Sequence, residues 1–88
     1  MGEQEIIYHT ADGKLLETSI GNLVLKMNSK LYTPPSQLGL LPGIYRQHLL
    51  ESGQVEEKVL TIEDLAQAEA IYGCNAVRGL YELSVKEN

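Results

Sequence analysis

The sequence has a single cysteine, no excess of basic residues and no long apolar run. Cys74 cannot close a disulfide within the chain, and a chain that folds without disulfides fits a reducing compartment. Seven Lys and Arg stand against twelve Asp and Glu, giving a net charge of −5 and a pI near 4.9. Nucleic-acid binding calls for a basic stripe, so this balance argues against that class of partner. No apolar stretch approaches the length of a membrane-spanning helix, and Met1-Gly2-Glu3 does not begin a signal peptide. Repeats and low-complexity segments are missing too. His9 and His48 stand apart without metal-ligand spacing. The expectation is a cytoplasmic chain with no metal, nucleic-acid or membrane partner.

What is present suffices for one modest domain. The chain has 88 residues, 43% of them hydrophobic, and a chain of this size buries roughly 60–65% of its unfolded surface. Ile6 to Thr10 is a short β-prone run, and the Asp12-Gly13 pair after it is a strong hairpin signal. The return strand runs from Leu15 to Ser19. Gly21-Asn22 then punctuates the chain before a strand over Leu23 to Met27. Asn28-Ser29-Lys30 turns into Leu31-Tyr32-Thr33, so the first third reads as an antiparallel β-meander. Val55 to Leu60 reads as a half-buried strand. Thr61-Ile62-Glu63-Asp64 resembles a capping box opening a helix over Leu65 to Ala70. Strands over Ile71 to Val77 and Leu80 to Val85 follow. Strands and short helices without a regular βαβ rhythm give an α+β class.

Between these halves lies Leu38 to Arg46, LGLLPGIYR, preceded by Thr33-Pro34-Pro35. Pro42-Gly43 turns the chain into a helix that runs through Gln47, Leu49 and Leu50 toward Gly53. The first N–H groups of a helix lack internal partners, and the macrodipole makes that end positive. A glycine there lets an anion approach the backbone, so the segment reads as a phosphate seat.

Five stretches fall in the order of one known family. They are Glu17 to Asn22 (ETSIGN), Thr33 to Pro35, Gly39 to Arg46 (GLLPGIYR), Leu60 to Leu65 (LTIEDL) and Cys74 to Ala76 (CNA). Together they resemble the C-terminal part of the fold-type IV pyridoxal-phosphate enzymes, the class IV aminotransferase family. The GIYRQ and CNA wording is most similar to aminodeoxychorismate lyase, and the resemblance covers roughly Ile6 to Val85. It implies part of the large C-terminal domain of a D-amino-acid-aminotransferase-like fold.

The resemblance also implies roles. Glu17 matches the glutamate that pairs with the cofactor's pyridine nitrogen, where a carboxylate keeps the ring protonated as an electron sink. Asn22 matches the asparagine of the same motif, as a local anchor. Gly43, Ile44 and Tyr45 match the backbone segment that holds the phosphate. Asn75 and Ala76 match a second phosphate-binding loop; many relatives carry a hydroxyl residue where Ala76 stands, which leaves only a main-chain donor here.

One departure from the family pattern bears on activity. Relatives carry the Schiff-base lysine a few dozen residues before the glutamate, whereas only sixteen residues precede Glu17. Lys14 sits in the hairpin turn, and Lys26, Lys30, Lys58 and Lys86 occupy no matching motif. The smaller N-terminal domain of the family is expected to be absent as well. The expectation is a cofactor-binding fragment, inactive alone, whose parent converts 4-amino-4-deoxychorismate to 4-aminobenzoate and pyruvate in folate biosynthesis. A branched-chain or D-amino-acid aminotransferase parent, and a non-catalytic structural or binding module, stay open. Apolar surface left by the missing part implies a homo-oligomer. Arg46 suits either a phosphate clamp or an ion pair bracing the helix. Cys74 reads as a buried small hydrophobe, Tyr45, Tyr72 and Tyr81 as core or interface, and Glu56, Glu57 and Glu82 as solvated surface.

Overall fold

The computed structural model describes residues 5–40 and 43–83. Its strands are β1 (Ile7–His9), β2 (Leu15–Thr18), β3 (Asn22–Met27), β4 (Lys30–Thr33), β5 (Val55–Glu57), β6 (Ala70–Asn75) and β7 (Gly79–Glu82). Two helices, α1 (Ile44–Glu51) and α2 (Ile62–Gln67), complete the chain with a short 3-10 turn at Ser36–Leu38. All seven strands belong to one sheet, mostly antiparallel, and the class is α+β as expected.

The sheet is built around β3. Along one edge it pairs with β6, from Asn22↔Cys74 to Lys26↔Ala70. A strand has only two edges, so β2 and β4 share the other: Glu17 lies opposite Asn22, and Leu25 to Met27 lie opposite Tyr32 to Lys30. β3 is also covered on both faces, because Leu23 and Leu25 join Leu15 and Leu60 in one core cluster. Val24 points the other way, into a second cluster with Leu49, Val55 and Cys74. That arrangement is why Leu23-Val24-Leu25 is unbroken apolar sequence rather than an alternating one. Each of these side chains gains about 1.5–3 kcal/mol by leaving water. α1 packs on the Val24 face through Leu49, and Leu65 of α2 packs on the Leu23 face.

Several turns form for the local reasons their residues suggest. Gly13 adopts φ +88° at the end of the first hairpin, and Asn28 and Ser29 both take positive φ, 53° and 65°, between β3 and β4. Gly53 ends α1 with φ +81°. Thr61 and Asp64 form the reciprocal capping box: Asp64 N donates to Thr61 Oγ1 at 3.2 Å, and Thr61 N donates to Asp64 Oδ2 at 2.9 Å.

Other expectations need correction. The helix expected over Leu65 to Ala70 starts at Ile62 and ends at Gln67, and Ala70 opens β6 by pairing with Lys26. The strand expected over Val55 to Leu60 stops at Glu57, because Leu60 leaves that edge and its carbonyl accepts Leu15 N at 2.7 Å. β5 runs parallel to β4, with Leu31↔Val55 and Thr33↔Glu57, so β4, α1 and β5 form one βαβ unit inside a fold otherwise without that rhythm. Asn22 is the first residue of β3 rather than punctuation before it. The strand expected over Ile71 to Val77 ends at Asn75, and the one expected over Leu80 to Val85 is Gly79–Glu82. Val85, like Pro42 of the expected Pro-Gly turn, lies outside the described residues.

Candidate functional site

The β2–β3 connection is a tight four-residue turn. Thr18 donates to Gly21 O through both its backbone N, at 2.9 Å, and its hydroxyl, at 3.0 Å. Outside this turn, Ser19 and Ile6 exchange backbone and hydroxyl hydrogen bonds that hold the start of β1 against it. On the other side Asn75 Nδ2 donates to Ile20 O at 3.1 Å. Asn75 Oδ1 meanwhile accepts from Val77 N at 3.0 Å and Arg78 N at 2.8 Å, which shapes the β6–β7 turn. One amide therefore fastens two turns that are 55 residues apart in sequence.

The start of α1 comes down onto these turns. Gly43 is the N-cap, with φ −75° and ψ 135°, and no side chain caps it. The first helical hydrogen bond runs from Gln47 N to Gly43 O at 3.0 Å. The N–H groups of Ile44, Tyr45 and Arg46 thus precede the helical ladder, at the positive end of the helix. Gly43 rests on Asn22, and a Cβ built there would collide with Asn22 Oδ1. Gly21 is equally confined, since its Cβ would lie 2.5 Å from Cys74 O.

These elements enclose a cleft of about 520 Å³. Of the seven residues picked out from the sequence, Glu17, Asn22, Gly43, Ile44, Asn75 and Ala76 line it. Tyr45 does not: its ring packs with the Val24–Leu49 cluster and tilts against His48, with ring centroids 5.7 Å apart. Thr18, Ser19, Ile20, Gly21, Cys74 and Tyr8 line the cleft without having been singled out as ligand contacts. Thr18 to Gly21 could have been found, because any turn joining Glu17 to Asn22 must contain them. Tyr8 arrives only through strand pairing, where Ile7 lies opposite Thr18.

Glu17 is the only charged side chain among the described lining residues. Cys74 is fully buried, and burial pushes its thiol up, with the Arg46 guanidinium pulling the other way. Arg46 itself is 4% exposed and paired to Glu57, Nη2 to Oε2 at 2.6 Å, so it braces the helix. Glu57, expected as solvated surface, is exposed, and it also anchors that pair. Among the described residues no cluster of His, Cys, Asp or Glu could hold a metal ion, and no helix is long and apolar enough to cross a membrane.

A mostly antiparallel sheet with two helices, its cleft flanked by a strand carboxylate and a helix N-terminus, is a fold of the aminotransferase kind. The family model of amino-transferase class IV matches residues 1–84, and the chain belongs to that family. It is 30% identical over 78 residues to a provisionally named aminodeoxychorismate lyase of Schizosaccharomyces pombe, which covers 85% of this chain and 34% of that protein. The solved structure of a provisionally named amino-acid aminotransferase from Mesorhizobium loti superposes with a TM-score of 0.86 at 32% identity, over 93% of this chain and 40% of that one. An aminotransferase from Brucella abortus, solved bound to the cofactor PLP, gives a TM-score of 0.78 at 26% identity, over 90% and 30% of the two chains. The chain spans about a third of the length of the curated relatives it matches.

Proposed function

We propose that these residues form the pyridoxal-phosphate-holding part of an enzyme of the aminodeoxychorismate lyase kind. The observation that carries this reading is the convergence of Glu17, Asn22, Gly43, Ile44, Asn75 and Ala76 on one cleft. The residues fit the group chemically. The N–H groups at the start of α1 would receive the phosphate, with the main-chain N–H of Ala76 as a further donor from the β6–β7 turn. Glycine at 43 leaves the backbone bare where a Cβ would meet Asn22. Glu17, as the lone carboxylate of the lining, would hold a proton on the ring nitrogen. When bound, the cofactor supplies an electron sink for the carbon that loses its proton. Asn22 and Asn75 orient: Asn22 lies opposite Glu17 on the next strand, and Asn75 keeps its turn shaped and fastened to Ile20.

Covalent attachment of the cofactor and the proton transfers that release 4-aminobenzoate and pyruvate are assigned to residues other than these. No lysine is among the described residues lining the cleft. The test is binding of pyridoxine 5′-phosphate, which has no aldehyde to react with surface lysines. Its phosphate should shift the backbone amide resonances of Ile44, Tyr45 and Ala76, and Glu17→Gln should weaken binding of the protonated ring. Shifts confined to other parts of the chain would sink the reading. Incubation with 4-amino-4-deoxychorismate should release no pyruvate, and release would refute the assignment of catalysis elsewhere.

A second reading, an amino-acid aminotransferase parent using the same cofactor part, is supported by the similarity to the Mesorhizobium loti structure. Transfer of an amino group to a 2-oxo acid by the enzyme containing this part would favour it over the lyase.

A further inference from the structure

The start of α1 is held by the Tyr45 ring against the Val24–Leu49 cluster, by Gly43 on Asn22, and by Arg46. Ile44 is 80% exposed, and the buried residues of the helix are Arg46 and Leu49. Leu49 belongs to the apolar cluster one turn further on. Arg46, three residues after Gly43, is the buried residue of the first turn. Its Nη2 donates to Pro34 O at 3.0 Å and to Glu57 Oε2 at 2.6 Å. Glu57 Oε2 also accepts from Ser36 N at 3.4 Å. One side chain thus ties together the first turn of α1, the segment after β4 and the last residue of β5. The Cβ direction of Gly43 looks toward both Asn22 and Arg46, whose own Cβ would lie 3.5 Å from it. Gly43 thus packs on Asn22 at the cleft, with Arg46 of the same helix turn beside that contact.

A backbone seat needs its N–H groups aimed, since a hydrogen bond weakens steeply as its angle closes. Every degree of freedom of the first turn that Arg46 removes is one the phosphate does not have to fix on binding. We propose that Arg46 is a positioning residue of the phosphate seat, anchored by Glu57, and acts on the ligand through the backbone of Gly43 to Tyr45. This inference rests on the cofactor reading above. The guanidinium is charged and nearly dry, and its influence extends to Cys74 in the cleft wall, whose thiol it pulls down against burial. Both bonds leave one nitrogen, Nη2; a lysine ammonium also carries several donors on one nitrogen, so it can keep part of this pairing with a different length and shape of side chain.

The experiment measures, for this chain, the dissociation constants of pyridoxine 5′-phosphate and of pyridoxine, which differ only in the phosphate. The ratio of the second to the first reports the seat and cancels losses common to the whole cleft. Arg46→Met should lower the ratio about tenfold, within the range that a misplaced binding group costs. Glu57→Gln should lower it by less, and Arg46→Lys should recover part of the loss. Circular dichroism identifies folded variants, and if Arg46→Met does not fold, Glu57→Gln and Arg46→Lys carry the test. A ratio near one for the unaltered chain removes the seat itself and this inference with it. A clear preference for the phosphate that folded Arg46→Met retains within twofold leaves the seat standing and overturns the role of Arg46; where Arg46→Met does not fold, the same retention by both Glu57→Gln and Arg46→Lys does so. A ratio that rises in Glu57→Gln also overturns it, because Glu57 would then be a competing charge rather than an anchor.

Discussion

Gly43 lies against the side-chain amide of Asn22, so closely that the helix N-cap has no room for a Cβ on that side. The pair joins the first residue of the central strand to the first turn of α1, and both residues line the cleft. Its glycine is not there for a special backbone angle, since φ −75° suits any residue.

Gly43→Ala should therefore fail by contact rather than by strain. The expected destabilisation is about 1–3 kcal/mol, the range for forcing a methyl into filled space, with weaker binding of pyridoxine 5′-phosphate. Adding Asn22→Ala should make the double variant less damaged than the sum of the singles, because the colliding atom is gone. Chemical denaturation of the four proteins measures this; strict additivity would show that the two residues do not touch.

Asn75 separates turn shape from cleft closure. Asn75→Ala loses the bonds to Val77 N, Arg78 N and Ile20 O and should cost about 1–3 kcal/mol, at about 1 kcal/mol per net hydrogen bond. Asn75→Asp keeps the two acceptor bonds but sets a carboxylate against Ile20 O. It should be the more stable of the two variants and yet bind pyridoxine 5′-phosphate less well than Asn75→Ala, since its charge faces the anion. Equal phosphate affinities would place the phosphate away from this turn.

The phenol of Tyr81 should shape the alkaline limb of stability. Burial first, and then the Glu5 carboxylate beside it, push its pKa from 10.0 up to about 12. The unfolded chain gives up this proton more readily, so the phenol's contribution is intact below pH 10 and is lost as pH rises from 10 toward 12. Thermal unfolding of the unaltered chain and of Tyr81→Phe across that range should show the unaltered chain falling more steeply. Parallel curves would mean that the hydroxyl meets solvent.

Ser29 occupies a left-handed conformation, φ 65°, directly after Asn28 at φ 53°. A left-handed residue other than glycine costs roughly 1–2 kcal/mol, while glycine loses about 0.5–1 kcal/mol of chain entropy. Ser29→Gly should thus stabilise by about 0.5 kcal/mol, the difference between those terms. The bond from Ser29 N to Glu69 is a backbone donation and survives the change. A lowered denaturation midpoint would contradict the turn geometry.

Thr61→Ala removes the acceptor of Asp64 N and opens the capping box. A loss of about 1 kcal/mol is expected, which lowers the melting temperature by about 4–8 °C in a domain of this size. Thr61→Ser should recover most of it.

Much of the local structure was legible because its causes are local. Asp12-Gly13 and Asn28-Ser29 made their turns, Thr61 and Asp64 capped α2, and Gly53 closed α1, each through backbone requirements that a few neighbouring residues satisfy. The candidate residues were legible for a different reason: Glu17, Asn22, Gly43, Ile44, Asn75 and Ala76 carry the order of a family's motifs, and the chain belongs to that family. Element ends were less legible. Leu60 abandons its strand to close the core over Leu15, and Ala70 leaves the expected helix to pair with Lys26, both in answer to distant partners.

The sequence alone determined the class, the turns, the capping box and the residues worth watching, since these depend on side-chain chemistry within one or two turns of chain. Only the tertiary structure decided that β3 is central and shared along one edge, that β5 runs parallel to β4, and that the exposed Glu57 pairs with Arg46. It also decided that the turn after Glu17, the start of α1 and the turn after Asn75 meet around one cleft. Those facts rest on contacts between segments tens of residues apart. Which of the possible pairings forms is settled by how the two apolar faces of β3 can both be covered.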